Sequence, residues 1–384
     1  MERSCLPRVI LNPGRDHSIR RFHPWVFSGA VSAVEGKATE GDIVDVISAE
    51  GDWLARAHYY EGDIALKILS FRDVPIDQQF WNDSIRNAYA LRELLKLTAN
   101  PDTNAYRLVH GEGDGLPGLV IDVYAEAIVV QYHTVGMRRA STQISAAIAA
   151  QFPHAHLIIE HDREGEGVES ESATTFCEHG IQYVIDHSRM QKTGFFLDQR
   201  ENRALLRTLA SGRRVLDAFC YTGGFSLAAL AGGAQMVHGV DRSEHALKHF
   251  RENMERNFPT AEFHCFAMDF RDFLGSNNRE RYDLIVLDPP AFAKHRRATT
   301  RAVRAYSDLN FETLSLLKPG GILFTFSCSQ VVDRATFREA IGTAMVRAKR
   351  TGEILYQLSQ APCHPIASAH PEGEYLKGLV IRVD

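Results

Sequence analysis

Residues 1 to about 72 alternate apolar and polar positions in short runs, such as DIVDVISAEGDWLARAHYY and IALKILSF, broken by Gly-Asp pairs at 41–42, 51–52 and 62–63. Period-two alternation punctuated by turn formers predicts strands joined by tight turns, hence a small β-rich module. Next, DQQFWNDSIRNAYALRELLKL spaces Phe80, Ile85, Tyr89, Leu91, Leu94 and Leu95 at a roughly helical period. GLPGLVIDVYAEAIVVQYH then reads as a strand hairpin, followed by an amphipathic segment from about 137 to 151. From about 213 onward apolar strands alternate with helical segments, the signature of a parallel sheet wrapped by helices. Internal repeats and low-complexity tracts are absent.

Within that last region RRVLDAF (213–219) predicts a strand closing on Asp217. In CYTGGFSLAAL, Gly223 and Gly224 let the backbone turn tightly and approach a ligand as a helix begins. QMVHGVD ends on Asp241; Ser243 then caps a helix whose apolar face is Ala246, Leu247, Phe250 and Met254. Ligands of open α/β sheets sit at the carboxyl ends of strands, which places Asp241 for ribose hydroxyls. A glycine turn alone is also what a helix packed tightly on a strand requires. The turn does not fit G-x-G-x-x-G, and an acid ending the first strand repels a pyrophosphate while suiting an ammonium. This favours S-adenosylmethionine over NAD. After the third strand, Asp269 is available to an adenine amino group and Phe270 as a wall.

YDLIVLDPPAFAKH (282–295) reads as the fourth strand and a stiff exit loop, in which Asp288, Pro289 and Pro290 meet the edge of a flat base. One crossover later, LFTFSCSQ (323–330) brings Cys328 to a strand end. Asp288 and Cys328 are therefore expected in one crevice. Taken singly, the loop is equally a structural turn and the thiol a core cysteine.

Composition narrows the classes. Across 384 residues, 45% hydrophobic and 24% charged content is that of an ordinary soluble chain, and no run nears the roughly 18 apolar residues of a membrane helix. Six cysteines without a C-x-x-C pair indicate neither zinc nor a disulfide framework, and the reading is a cytoplasmic protein with reduced thiols and no membrane. The formal net charge of −5 argues mildly against a nucleic-acid partner, but the distribution keeps one open. Arg8, Arg15, Arg20 and Arg21 crowd the N-terminus; Lys294, Arg296, Arg297, Arg301 and Arg304 follow the exit loop, as phosphate contacts or as a solvated helix face. The acidic excess sits partly in EHDREGEGVESE (160–171), read as an exposed loop.

The motifs together resemble a known family. HPWVFSGAV with its Gly-Asp turns, YRLVHGEGDGLPGLVIDVY, QKTGFFLDQRENR, FCYTGGFSLAAL, LDPPAF, TFSCS and HPEGEYLKGLVIRV are similar to the RlmI-type 23S ribosomal RNA cytosine-C5 methyltransferases over nearly the whole chain. The resemblance implies a PUA-like RNA-binding domain (1–72), a central α+β domain (73–188) and a Rossmann-like class I methyltransferase domain (189–384) with a mostly parallel seven-stranded sheet. It implies S-adenosylmethionine as cofactor and 23S ribosomal RNA, unassembled or partly assembled, as partner; a homodimer stays open. Residues 160–180 are shorter and more acidic than the basic hairpin-like stretch of that family, and Ala291 stands where some RNA cytosine methyltransferases carry a second cysteine.

On this reading Cys328 attacks and Asp288 steadies the base. Asp217, Phe219, Tyr221, Gly223, Asp241, Asp269, Phe270 and Gln199 surround the cofactor. Pro289, Pro290, Lys294, Arg296 and Arg297 face the RNA. Arg20, Arg21, His23 and Trp25 suit RNA loops, although Trp25 fits a core as well. Lys377 could reach the pocket, with a surface strand end the favoured expectation. Two rivals remain: an N-methyltransferase acting on guanine or adenine, for which Cys328 is dispensable, and a non-catalytic ribosome-assembly factor.

Overall fold

The apolar runs of the C-terminal half pair into one seven-stranded sheet. In chain order its strands are β1 (Arg214–Ala218), β2 (Met236–Asp241), β3 (Phe263–Ala267), β4 (Tyr282–Leu287), β5 (Leu317–Ser327), β6 (Gly352–Leu358) and β7 (Lys377–Val383). Across the sheet they lie β3-β2-β1-β4-β5-β7-β6. The first five run parallel, while β7 pairs antiparallel with both β5 and β6. This computed structural model describes residues 6–155, 157–162, 173–186, 193–276, 281–293 and 295–384.

Parallel strands covered on both faces are continuous apolar runs. Accordingly Val215, Leu216, Leu284, Ile285, Val286, Leu323 and Phe324 are buried. The covering helices include α1 (Arg200–Leu209), α2 (Gly224–Ala231), α3 (Glu244–Asn257), α4 (Phe270–Gly275), α5 (Thr299–Leu314) and α6 (Arg334–Ala348). Ser243 Oγ caps α3 by accepting from Ala246 N at 3.2 Å, and the expected face of Ala246, Leu247, Phe250 and Met254 is the buried one. Asp333 does the same for α6, accepting from Thr336 N at 2.7 Å. Each such cap satisfies an N–H that the helix itself leaves unpaired, worth about 1 kcal/mol.

Contacts divide the chain into two compact units: one of residues 1–174, 186–195 and 362–373, the other of 175–185, 196–361 and 374–384. The sheet above belongs to the second. The first holds a six-stranded sheet built from Arg8–Leu11, Trp25–Phe27, Val31–Glu35, Ile43–Ile47, Trp53–Tyr59 and Ile64–Ser70, over a core that includes Val9, Leu11, Val44, Val46, Leu66 and Ile68. It also holds a four-stranded sheet whose antiparallel pair Leu119–Tyr124 and Ala127–Tyr132 is the expected hairpin. The helix Gln78–Leu94 matches the helical spacing, and the segment near 137–151 forms two helices, Val135–Arg139 and Ser141–Gln151. Of the acidic stretch, 160–162 end a strand rather than belonging to a loop, and 163–172 lie outside the described residues.

The turn from β1 into α2 is tight. Phe219, Tyr221 and Gly223 all take positive φ, at 64°, 49° and 88°. Left-handed backbone is costly for the two aromatic residues and natural for glycine. At Gly223 a side chain is also excluded by space, because a Cβ there would lie 2.7 Å from the Phe250 ring. Gly223→Ala is expected to lower unfolding free energy by about 1–3 kcal/mol through these two effects. Urea denaturation measures it, and an unchanged midpoint would contradict the account.

Candidate active site

Parallel register brings three acids to one edge of the sheet. Asp217 pairs with Gly239 on β2 and with Val286 on β4, so Asp241 and Asp288 stand two positions further along their chains at the neighbouring carboxyl ends. Asp217 is buried; its Oδ2 accepts from the Ser226 backbone N at 3.0 Å and from Ser226 Oγ at 2.6 Å. Burial pushes its pKa up from 3.8 to about 7. The Ser226 hydrogen bonds oppose that rise, and the charges of Asp288 and Asp241 add to it.

Asp241 fixes the loop opposite. Its Oδ2 accepts from Tyr221 N and its Oδ1 from Ser243 N, each at 2.9 Å. Each carboxylate oxygen has a second lone pair, so ribose-type hydroxyls can still be received. Asp269 caps α4, accepting from Arg271 N at 2.9 Å. Phe270 is buried and packs against Phe219 and Phe273 with ring centroids 5.4 and 6.1 Å apart.

Asp288 is held by a chain of amides. Gln199 Nε2 donates to its Oδ2 at 2.9 Å, and Gln199 Oε1 accepts from Asn202 Nδ2 at 2.6 Å. Asn202 Nδ2 also reaches Ser359 O at 3.1 Å. The amide of Gln199 is thus engaged on the exit-loop acid, and Asn202, three residues on, was not singled out from the sequence. The helical spacing of the two was the available signal.

Cys328 follows β5 directly and is half-buried, with its Sγ 3.9 Å from Pro289 O in the exit loop. The adjoining Ser329 is buried, and its Oγ lies 2.9 Å from Tyr306 Oη of α5. Cys220 differs sharply: it is buried in the turn from β1 into α2, and burial, with the Asp217, Asp241 and Cys265 charges adding to it, pushes its thiol far up. Pro289 is buried while Pro290 and Arg297 are exposed. Lys294 lies outside the described residues, and Arg296 belongs to a short 3-10 turn. Lys377, expected at the surface, is buried.

In the other unit Arg20 pairs with Asp16 and Asp52, at 2.5 and 2.9 Å, and Arg21 is exposed. Trp25 is half-buried and donates through Nε1 to Glu112 at 2.8 Å. His23 Nδ1 lies 3.1 Å from Trp25 O.

The charges of Asp288 and Asp241 bear on the buried Asp217, and such a cluster of carboxylates favours a positively charged ligand. A sulfonium and an ammonium answer it; a pyrophosphate aggravates it. The left-handed turn supplies the close backbone approach. The residues present therefore fit S-adenosylmethionine.

Comparison with known proteins agrees. Residues 113–351 match the family model of S-adenosylmethionine-dependent methyltransferases, and residues 9–71 match a PUA-like domain. Ribosomal RNA large subunit methyltransferase I of Erwinia tasmaniensis is 38% identical over 98% of this chain and 99% of its own length. The protein of the same name from Klebsiella pneumoniae strain 342 is 36% identical over the full length of both. The fold is also that of a methyltransferase solved in complex with SAH, at a TM-score of 0.86 and 21% identity over 98% of this chain and 99% of that one.

Asp217 gives a pH signature. Because its folded pKa is raised, its contribution to stability is complete below about pH 4 and is lost as pH rises through about 7. Asp217→Asn is expected to stabilise the ligand-free protein at pH 8 by about 1–3 kcal/mol, with the gain vanishing below pH 4, while weakening S-adenosylmethionine binding more than tenfold. Thermal melts across pH and calorimetric titration check both. A stabilisation independent of pH would exclude the raised pKa.

Proposed function

The chain belongs to the S-adenosylmethionine-dependent methyltransferases, in the ribosomal RNA large subunit methyltransferase I family, and from that membership we propose that it methylates C5 of a cytosine in 23S ribosomal RNA through a covalent Cys328 adduct. The observation that carries the proposal is Cys328 at the end of β5, against the Pro289 carbonyl of the loop that begins with Asp288. Cytosine C5 is a poor nucleophile. A thiolate adding to C6 moves electron density to C5, which then accepts the methyl group; loss of the C5 proton lets the thiolate depart and restores the ring. Bound S-adenosylmethionine supplies the electrophilic methyl group.

The chain's own residues divide the remaining work. Asp217, ionised, receives the ammonium, and Asp241 the ribose hydroxyls. Gly223 and the left-handed residues Phe219 and Tyr221 shape the close backbone approach, with Asp269 and Phe270 framing the adenine end. Asp288, fixed by Gln199 and Asn202, meets N3 or the exocyclic amine of the base and stabilises the adduct. Pro289 and Pro290 keep that loop stiff, and Lys294, Arg296 and Arg297 meet phosphates. Residues 1–72 act as an RNA-binding PUA-like domain and 73–188 as a central domain. The protein works in the cytoplasm, and a second copy of the chain is a compatible partner.

RNA carrying 5-fluorocytosine tests the chemistry, because fluorine cannot leave C5 as a proton does. A denaturation-resistant complex that depends on S-adenosylmethionine and is lost in Cys328→Ala is the expected outcome. Methyl transfer to ordinary RNA without any adduct would transfer the case to an N-methyltransferase. A cytosine in a duplex is out of reach, so the target must be unpaired or flipped. Free 23S ribosomal RNA should therefore be methylated faster than the assembled subunit in a tritiated-methyl assay, and equal rates would refute that order.

A further inference from the structure

Lys377 opens β7 directly opposite Ser327 in the antiparallel ladder, one residue from Cys328. Its side chain is buried, with 1% of its surface exposed. Two of its three N–H donors go to carbonyls, those of Ser329 and Tyr375, each at 2.8 Å. Among the described residues it forms no salt bridge. A buried ammonium held only by carbonyls is costly unless it serves a nearby charge.

The surroundings indicate which charge that is. Glu374 is taken by Arg334, whose Nη2 and Nε lie at 2.6 and 3.1 Å, and Asp333 caps α6. Burial lowers the pKa of Lys377 to about 8; the opposing influences are Cys328 first, then Glu374 and Asp333, with Arg334 acting the other way. From α5, Tyr306 also feels Cys328, whose charge pushes the phenol up, although burial is the larger cause. Of the groups around this ammonium, Cys328 has the strongest favourable effect and no carboxylate is directly bonded.

We propose that Lys377 is a positioning residue that holds an ammonium against the end of β5 and thereby keeps Cys328 as a thiolate ready to attack. The role rests on the reading of Cys328 as nucleophile. It also makes strand pairing a determinant of reactivity, since Lys377 reaches the thiol's neighbourhood only through the β5–β7 register. In water an isolated thiol titrates near about 8.5, and an adjacent cation lowers it. Because the two groups favour each other's charged forms, they titrate as a pair.

The test is the pH dependence of Cys328 alkylation by iodoacetamide in the full-length protein, without RNA or cofactor, read by peptide mass spectrometry. Buried Cys220 serves as the unreactive reference. In the wild type Cys328 is expected to titrate at least one unit below 8.5. In Lys377→Met the midpoint should rise by a unit or more, with about tenfold slower labelling at pH 7, whereas Lys377→Arg should retain most of the lowered value. A purely structural lysine would change the melting temperature and leave the midpoint in place, which overturns the proposal. Should the methionine variant fail to fold, a wild-type midpoint at or above 8.5 overturns it without any variant. An ordinary wild-type thiol combined with an inactive Cys328→Ala refutes the role of Lys377 while sparing the nucleophile. A low midpoint in an enzyme whose Cys328→Ala still methylates refutes the nucleophile instead.

Discussion

Three like charges gathered at one edge of a sheet govern this site. Asp217, Asp241 and Asp288 close three adjacent parallel strands, and parallel pairing leaves them no way to separate. Their mutual repulsion is part of what raises Asp217, on top of its burial. A fold tolerates such a cluster when each member has a hydrogen-bonded substitute for lost solvation. Ser226 provides it for Asp217, the Tyr221 and Ser243 amides for Asp241, and Gln199 for Asp288. A cluster of carboxylates of this kind favours a cationic ligand over an anionic one.

The same economy runs through the β5 side of the sheet. Cys328 leaves β5 beside the exit loop of β4, so Cys328 and Asp288 are set by the ends of neighbouring strands. Tyr306 and Ser329 tie α5 to the strand end, and Tyr375 Oη donates to Asp198 at 2.6 Å, linking the start of the Gln199 turn to the approach of β7. Buried polar contacts of this kind gain strength from low local polarity and fix one arrangement among several packable ones.

Most of the sheet was legible because parallel strands are uninterrupted apolar runs, and each run here stops at an acid or at the Ser-Cys-Ser stretch. Asp217, Asp241 and Asp288 could be found from chain position alone. Lys377 could not: lysine in isolation reads as a solvated residue, and only the long-range pairing of β7 with β5 buries it. Asn202 hid for a similar reason, as a polar residue on an amphipathic helix whose partner, Gln199, precedes the helix proper. Phe270 shows the reverse limit, since its type suits a ligand wall and a core equally, and depth of burial is a property of packing. In the first unit, Arg20, read from the sequence as suited to RNA loops, pairs with Asp16 and Asp52, partners supplied by a helical turn and by a distant strand loop.

The left-handed turn at Phe219 and Tyr221 has a kinetic corollary. Its conformation is already paid for by the folding of the sheet, with the Tyr221 amide anchored on Asp241 before any ligand arrives. A binding loop that needs no ordering surrenders little entropy on association. A ligand that meets this turn therefore finds its backbone already set.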